Sequence, residues 1–171
     1  MKAYALLFKL KTLPFILLFL LFFSAAHSQS VETNKARNLW WAFGGGGLST
    51  QGGSLGFGLS HQFRPHIITG RFIRNYDADG GGTQAWDVGI LYGRSYKTQQ
   101  AMISASAGIG YVGPSSEYGT VGIPLESQIF WTPTRYFGIG VYGFGNLNTK
   151  EPFGGALLAL QFGRLTSHYK Y

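Results

Sequence analysis

The stretch Trp86-Asp87-Val88-Gly89-Ile90-Leu91-Tyr92-Gly93 carries the deciding pattern of this chain. Trp86, Val88, Ile90 and Tyr92 share one parity, and Asp87, Gly89 and Gly93 share the other. Successive side chains of an extended strand point to opposite faces. A period of two therefore predicts a strand with one bulky apolar face and one small or polar face. An amphipathic helix would bring its apolar residues back every three to four positions, and this stretch does not.

Seven further runs repeat the pattern on either side. Leu39, Trp41 and Phe43 open the first, which continues through Gly44 to Gly47. The second sets Leu55, Phe57, Leu59 and Phe63 against Ser54, Gly56, Gly58, Ser60, Gln62 and Arg64. In the third, Ile68 and Phe72 stand against Thr69, Arg71 and Asn75. Beyond the central run, the fifth sets Ile103, Ala105, Ala107, Ile109 and Tyr111 against Ser104, Ser106, Gly108 and Gly110. The sixth sets Val121, Ile123, Leu125, Ile129 and Trp131 against Gly122, Glu126 and Gln128. Phe137, Ile139 and Val141 oppose Gly138, Gly140 and Tyr142 in the seventh. The last opposes Ala156, Leu158, Leu160 and Phe162 to Gly155, Ala159 and Gln161. Eight runs in sequence predict an all-β, eight-stranded antiparallel up-and-down barrel.

Which face lies inside decides the solvent. A soluble lipocalin-like carrier would turn its apolar face in and show Lys, Glu and Thr outside. Here the second face is mostly Gly, Ala and Ser with isolated charges, a poor aqueous exterior but a workable crowded lumen. The apolar face includes Trp41, Trp86, Tyr92, Tyr111, Trp131 and Phe162, the composition of interfacial aromatic girdles. Each run is near the roughly 9–11 residues that a tilted strand needs to cross a bilayer. The reading is a transmembrane barrel.

The N-terminus fits export. Lys2, Lys9 and Lys11 form a positive segment, Leu13 to Phe23 an apolar one broken only by Pro14, and Ser24 to Gln29 offers small residues for cleavage. Residues 1–28 read as a signal peptide, cut after Ser28 or, alternatively, after Ala26. A retained helix is the competing reading, but the apolar run is about half of the roughly 20 residues a span needs. Residues 29–38 then read as a short periplasmic leader, 39–164 as the barrel, and 165–171 as a C-terminal strand end or tail. No cysteine occurs, which removes lipoprotein anchoring, disulfides and thiolate metal sites. All 26 glycines follow the leader without a three-residue period, so collagen is excluded, and the abundant aromatics argue against disorder.

Connections and charges orient the barrel. Arg64-Pro65, Arg94 to Lys97 and Thr132 to Arg135 read as short periplasmic turns. Tyr76 to Thr83, Val112 to Gly119 and Asn146 to Pro152 read as longer outer loops, with Thr50 to Gly53 a short exception. Lys35, Arg37, Arg64, Arg94, Lys97, Arg135, Arg164 and Lys170 fall at the periplasmic rim, with Glu32 the acid there. Asp77, Asp79, Glu117 and Glu151 fall at the outer rim with Arg74 and Lys150. The chain's +7 includes the three leader lysines, so the mature part carries about +4. This basic excess is a rim and no nucleic-acid footprint.

These features together resemble the small outer-membrane barrels typified by the outer-membrane protein A membrane domain. The stretch Trp131 to Asn146 looks like the penultimate hairpin of such barrels in the Bacteroidetes. The resemblance implies insertion by the outer-membrane assembly machinery, which reads a C-terminal strand ending in an aromatic; Tyr171 fits, with Tyr169 two residues before it. The apolar alternation fades after Phe162. The family's larger members add a peptidoglycan-binding domain, for which this chain has no room.

Candidate chemistry is sparse. Gly138-Ile139-Gly140-Val141-Tyr142-Gly143 matches G-x-G-x-x-G, but strand alternation runs through it and no helix follows, so it reads as strand. Gly44 to Gly47 lacks the Lys-Ser/Thr of a phosphate loop. Arg71 lies mid-strand on the lumen face, roughly opposite Asp87, and Glu126 points inward from the far wall. Buried charges must be paired, so these three predict a polar network plugging the lumen, with a small pore as the alternative.

Barrels of this size also include lipid A-modifying enzymes using a His, a Ser and a carboxylate near the outer rim. Here His61, His66 and His168 fall at the other rim, and a metal site between His61 and His66 across their turn is weakly signalled. The expectation is a non-enzymatic barrel without cofactor or bound metal, acting as a monomer. Its loops at Asp77 to Gly82 and Pro114 to Tyr118 would make surface contacts through Asp77, Asp79, Glu117 and Tyr118. Outer-membrane lipids and lipopolysaccharide are the expected partners, its phosphates bridged to the loop acids by divalent cations.

Overall fold

The computed structural model describes residues 38–77, 83–98, 100–114 and 118–165. The signal-peptide and tail assignments, Glu32, Lys35, Arg37, Asp79, Glu117, His168, Lys170 and Tyr171 lie outside them. Eight strands are present: β1 (Leu39–Ser49), β2 (Gly52–Phe63), β3 (His66–Tyr76), β4 (Thr83–Lys97), β5 (Ala101–Pro114), β6 (Thr120–Trp131), β7 (Phe137–Asn148) and β8 (Phe153–Arg164). Each pairs antiparallel with the next, and β8 pairs with β1, so the sheet closes without an edge. No helix occurs among the described residues.

The register sets the barrel's shape. Stepping between cross-strand partners from Leu39 passes through Gln62, Ile67, Gly93, Ser106, Glu126, Phe144 and Gly155, and returns to β1 at Ser49. The circuit gains ten residues along β1, from Leu39 to Ser49. Strands so staggered are steeply tilted, and eight of them enclose a space that side chains can fill. The ends Leu39 and Arg164 share one rim, called the terminal rim here; the opposite end is the far rim.

Burial alternates along the strands as the period-two reading requires, apart from the glycine run Gly44 to Gly47 of β1, which is half-buried throughout. Ile90, Ile109 and Leu158 are 68%, 69% and 74% exposed on the outside, whereas Asp87 and Gln161 are fully buried inside. The molecule is thus apolar outside and polar within. Outside, stacked rings climb across strands: Phe57 on Phe72 at 5.2 Å, Phe72 on Trp86 at 6.1 Å, and Trp86 beside Tyr111 at 5.7 Å. A second row near the terminal rim joins His61, Phe63, His66 and Tyr92.

Three expectations are corrected. Trp41 is fully buried in the lumen, and its neighbour Trp40, 57% exposed, takes the outward place. The lumen is also less uniformly small than expected. Where glycines leave room, large rings fill it: a Cβ on Gly58 would come within 2.6 Å of the Phe43 ring. Phe43 and Trp41 share a parity, so filling the lumen with the one brings in the other.

The Arg94 to Lys97 segment belongs to β4, paired with Met102 to Ala105, and the turn is residues 98–100. It is closed by a Thr98 N–H donating to the Ala101 carbonyl at 2.8 Å. Strand pairing extends there because Ser95 and Lys97 continue the inward parity while Tyr96 stays outside.

Third, β5 and β7 run on to Pro114 and Asn148, and Gly52 and Gly53 belong to β2. The far-rim connections shrink to 50–51, 77–82, 115–119 and 149–152, against 64–65, 98–100 and 132–136 at the terminal rim. Loop length therefore separates the rims only weakly. Gly52, at φ 126°, supplies a backbone conformation at the tightest far-rim turn that other residues rarely adopt.

One seam is irregular. Pairing of β5 with β6 stops after Ala107 and Leu125 and resumes at Gly110 and Gly122. Pro124 sits in this gap; it has no N–H to give to a ladder. Its ring turns inward toward Gly89, where a Cβ would lie 3.0 Å from Pro124 Cγ. Outside the gap lies an open groove of about 500 Å³ walled by Ile109, Val121, Ile123 and Leu147.

Candidate functional site

The lumen is where this sequence places its chemistry. Arg71 on β3 and Asp87 on β4 form a two-pronged ion pair, Nε to Oδ1 at 3.2 Å and Nη2 to Oδ2 at 2.8 Å. Both side chains are fully buried. The guanidinium also crosses to the opposite wall. Nη1 donates to the Leu125 carbonyl at 2.7 Å and Nη2 to the Gly145 carbonyl at 2.8 Å. Asn146 Nδ2 donates to Asp87 Oδ2 at 2.7 Å. The planar, five-donor group of arginine suits this task, because one cation ties together β3, β4, β6 and β7.

Glu126 makes a second cluster one step round the wall. Gln128 Nε2 donates to its Oε1 at 3.2 Å, and the Tyr142 hydroxyl to its Oε2 at 2.7 Å. Gln161 Nε2 donates in turn to Gln128 Oε1 at 3.2 Å. Tyr142 is held by stacking on Phe43, ring centroids 4.6 Å apart. Sequence reading found Arg71, Asp87 and Glu126 but not the neutral partners. Tyr142, Gln128 and Gln161 all carried inward parity, which was the available signal. Asn146 was read as the start of a loop, although it pairs with Pro124 and Phe153 inside β7.

Toward the far rim the lumen holds a smaller chain of bonds. Ser54 Oγ donates to Asn75 Oδ1 at 2.5 Å, and Asn75 Nδ2 to Gln51 Oε1 at 3.2 Å. The surface loops converge only in part. Tyr118 is 93% exposed, and its carbonyl accepts from Lys150 Nζ at 2.6 Å, which ties the 115–119 and 149–152 connections together. Asn148 Oδ1 accepts from the backbone N–H groups of Lys150 and Glu151. Asp77 lies half-buried just past β3.

The two described histidines, His61 and His66, stand away from the lumen. His61 faces outward, and His66 Nδ1 bonds the Tyr92 hydroxyl at 2.6 Å. Phe63 stacks between the two rings, so they do not converge across their turn. Among the described residues no group of three potential ligands is placed to hold a metal. The Gly138 to Gly143 motif lies within β7, paired on both sides.

No family model matches the sequence, and no curated protein matches it significantly. Solved structures do resemble it. The N-terminal β-barrel domain of Pseudomonas aeruginosa OprF superposes with a TM-score of 0.62 at 11% identity, covering 75% of this chain and 99% of that one. Neisserial surface protein A gives a TM-score of 0.57 at 15% identity, over 77% and 99% of the two chains. Ail, the attachment invasion locus protein of Yersinia pestis, gives 0.53 at 10% identity, over 76% and 99%. At these identities the likeness is one of fold: a closed, eight-stranded, all-antiparallel barrel of the outer-membrane type.

Proposed function

We propose that this chain is an integral outer-membrane protein, exported by its N-terminal signal peptide and inserted by the outer-membrane assembly machinery. In this reading it is a non-enzymatic monomer of the Bacteroidetes type that stabilises the envelope and makes surface contacts through its far-rim loops. The observation that carries the reading is the inverted surface. Leucine, isoleucine and valine stand more than half exposed around the barrel while an arginine and two carboxylates are buried inside. Burying one such side chain is worth roughly 1.5–3 kcal/mol, so an apolar band this continuous is a surface made for hydrocarbon.

The lumen supports a structural role over a conducting one, since Arg71 reaches from β3 to carbonyls on β6 and β7. A lipid A-modifying activity draws no support from His61 and His66, which lie on the outer wall near the terminal rim. The contact surface is proposed at Asp77, Asp79, Glu117 and Tyr118, with lipopolysaccharide phosphates reached through divalent cations.

Refolding of the mature chain into detergent micelles, followed by electrophoresis of unboiled and boiled samples with and without protease, tests the reading. A faster, protease-resistant unboiled band is expected. A chain that folds in plain buffer, without a mobility shift, would overturn it.

A further inference from the structure

The open groove on the outer wall lies over the break in the β5–β6 ladder. Gly108 and Ile109 of β5, Val121, Gly122 and Ile123 of β6, and Leu147 of β7 line it. Its volume, about 500 Å³, falls within the roughly 300–1,000 Å³ of small-molecule clefts. Its walls are the exposed side chains of Ile109, Val121, Ile123 and Leu147.

A polar group is set into this apolar surface. In an antiparallel ladder, a residue directs its N–H and C=O toward one neighbouring strand. Pairing of β6 with β7 runs unbroken through Pro124 and Asn146, whereas pairing of β6 with β5 fails at Pro124. The missing N–H is therefore one that β5 lacks, and the Gly108 carbonyl opposite receives no ladder donor from β6. The Pro124 ring turns inward toward Gly89 and Gly110, so it does not cover that carbonyl from outside. In hydrocarbon, where no water can stand in, a carbonyl without a donor is costly.

The far-rim end of the groove is polar and cationic. Asn148 and Thr149 line it there, and the Thr149 and Thr120 hydroxyls lie 3.5 Å apart. Lys150 follows, its Nζ 2.6 Å from the Tyr118 carbonyl, which sets the ammonium between the connection entering β6 and the one leaving β7. Glu151 comes next, its backbone N–H given to Asn148 Oδ1. Pro124 lies four residues into β6 from Thr120, about 13 Å along the strand at roughly 3.3 Å per residue. The groove thus offers a cation at its mouth, an acceptor partway down, and apolar walls around it.

We propose that this groove seats one acyl chain of an anionic membrane amphiphile, and that the chain carries a hydroxyl partway along its length. The hydroxyl donates to the Gly108 carbonyl, the hydrocarbon lies against Ile109, Ile123 and Leu147, and Lys150 attracts the anionic head by charge complementarity. The inference rests on the membrane reading, because the chain reaches the groove from the bilayer. It adds to the loop contacts a site on the wall that selects the lipid by its chain.

The test uses the mature chain in phosphatidylcholine nanodiscs, with 10-hydroxyoctadecanoic acid as probe and octadecanoic acid as its match without the hydroxyl. NMR of the methyl groups and of the Gly108 carbonyl reads binding residue by residue. The hydroxy acid is expected to give saturating shifts at Ile109, Val121, Ile123, Leu147 and Gly108, at several-fold lower concentration than octadecanoic acid. Lys150→Met should weaken both probes alike, and Ile123→Trp, which fills the groove, should abolish the saturating shifts. Pro124→Ala supplies the missing N–H and should remove the preference for the hydroxyl.

Equal affinity for the two acids overturns the proposal, and the native chain alone decides this if Pro124→Ala does not fold. So do shifts spread evenly over the apolar band. Groove shifts that appear without probe and grow with the number of chains per disc would assign the groove to a second copy, and overturn it likewise. A chain that enters the discs but binds neither acid overturns the acyl site alone. A chain that does not enter them overturns the membrane reading as well.

Discussion

Arg71 and Asp87 pair across β3 and β4 without facing each other. In register Arg71 stands opposite Gly89, and Asp87 stands opposite Ile73, so the ion pair runs along the diagonal. The guanidinium turns along the barrel axis to meet both oxygens of Asp87, while the space inside Gly89 is taken by the Pro124 ring, 3.0 Å from where a Cβ would stand. The same tilt lets Arg71 reach the carbonyls of Leu125 and Gly145 on the opposite wall.

Breaking one half of this pair is therefore expected to cost more than removing both. Arg71→Ala strands Asp87 with the Asn146 amide as its remaining donor, and losing one member of a buried pair typically costs about 3–5 kcal/mol. Arg71→Met combined with Asp87→Leu should recover most of that, because no uncompensated charge is left. Urea unfolding in detergent or lipid, followed by the gel shift, measures both. An Arg71→Ala chain as stable as the native one would show that the network contributes nothing to the fold.

The seam at Pro124 predicts a local weakness. With pairing interrupted between Ala107/Leu125 and Gly110/Gly122, the Gly108 amide, which stands opposite Pro124, should exchange faster than the amides of Ser106 and Gln128 on the same seam. Amide hydrogen exchange by NMR in micelles reads this directly. Pro124→Ala restores an N–H and should slow exchange there, yet it removes a ring packed toward Gly89 and Gly110. Protection should thus rise at the seam while global stability stays level or falls slightly. Uniform protection along β5 and β6 would mean the ladder is continuous.

The barrel was legible because its signal is repeated: each strand reports the same period, and eight errors of parity would be needed to hide it. Single faces were harder. With Trp40 and Trp41 adjacent, either parity presents an aromatic, and only closure against β2 and β8 decides that Trp41 goes in. Strand ends were obscured where an inward polar residue looks like a turn, as at Ser95, Lys97 and Asn146. In a lumen, polarity no longer marks the solvent. The charged members of the network stood out on apolar strands, but their neutral partners did not, since a Gln or Tyr on the inner face is unremarkable until distance joins it to Glu126.

The proposed surface role predicts a cation-dependent contact. Asp77→Asn, Asp79→Asn and Glu117→Gln together should weaken binding to immobilised lipopolysaccharide several-fold, and chelating calcium and magnesium should do the same to the native chain. The bridge needs both the acids and the metal, so the two treatments should not add. Binding that survives chelation unchanged would remove the cation bridge from the reading.

Ile90 offers the sharpest test of the solvent outside. It is 68% exposed, sits mid-strand on β4, and pairs with Ile109, itself 69% exposed. In water, Ile90→Arg would replace an exposed apolar group by a hydrated one, and stability would hold while solubility improved. In a bilayer the same change puts a guanidinium on the lipid face near mid-depth, where it costs roughly 2–4 kcal/mol. Tyr118→Arg, at a far-rim connection and 93% exposed, is the matched control and should be neutral in either solvent. Folding equilibria of the two variants in lipid vesicles separate the cases. The membrane barrel requires Ile90→Arg to be destabilised and Tyr118→Arg to be unaffected. If both variants fold as readily as the native chain, the apolar band does not face lipid.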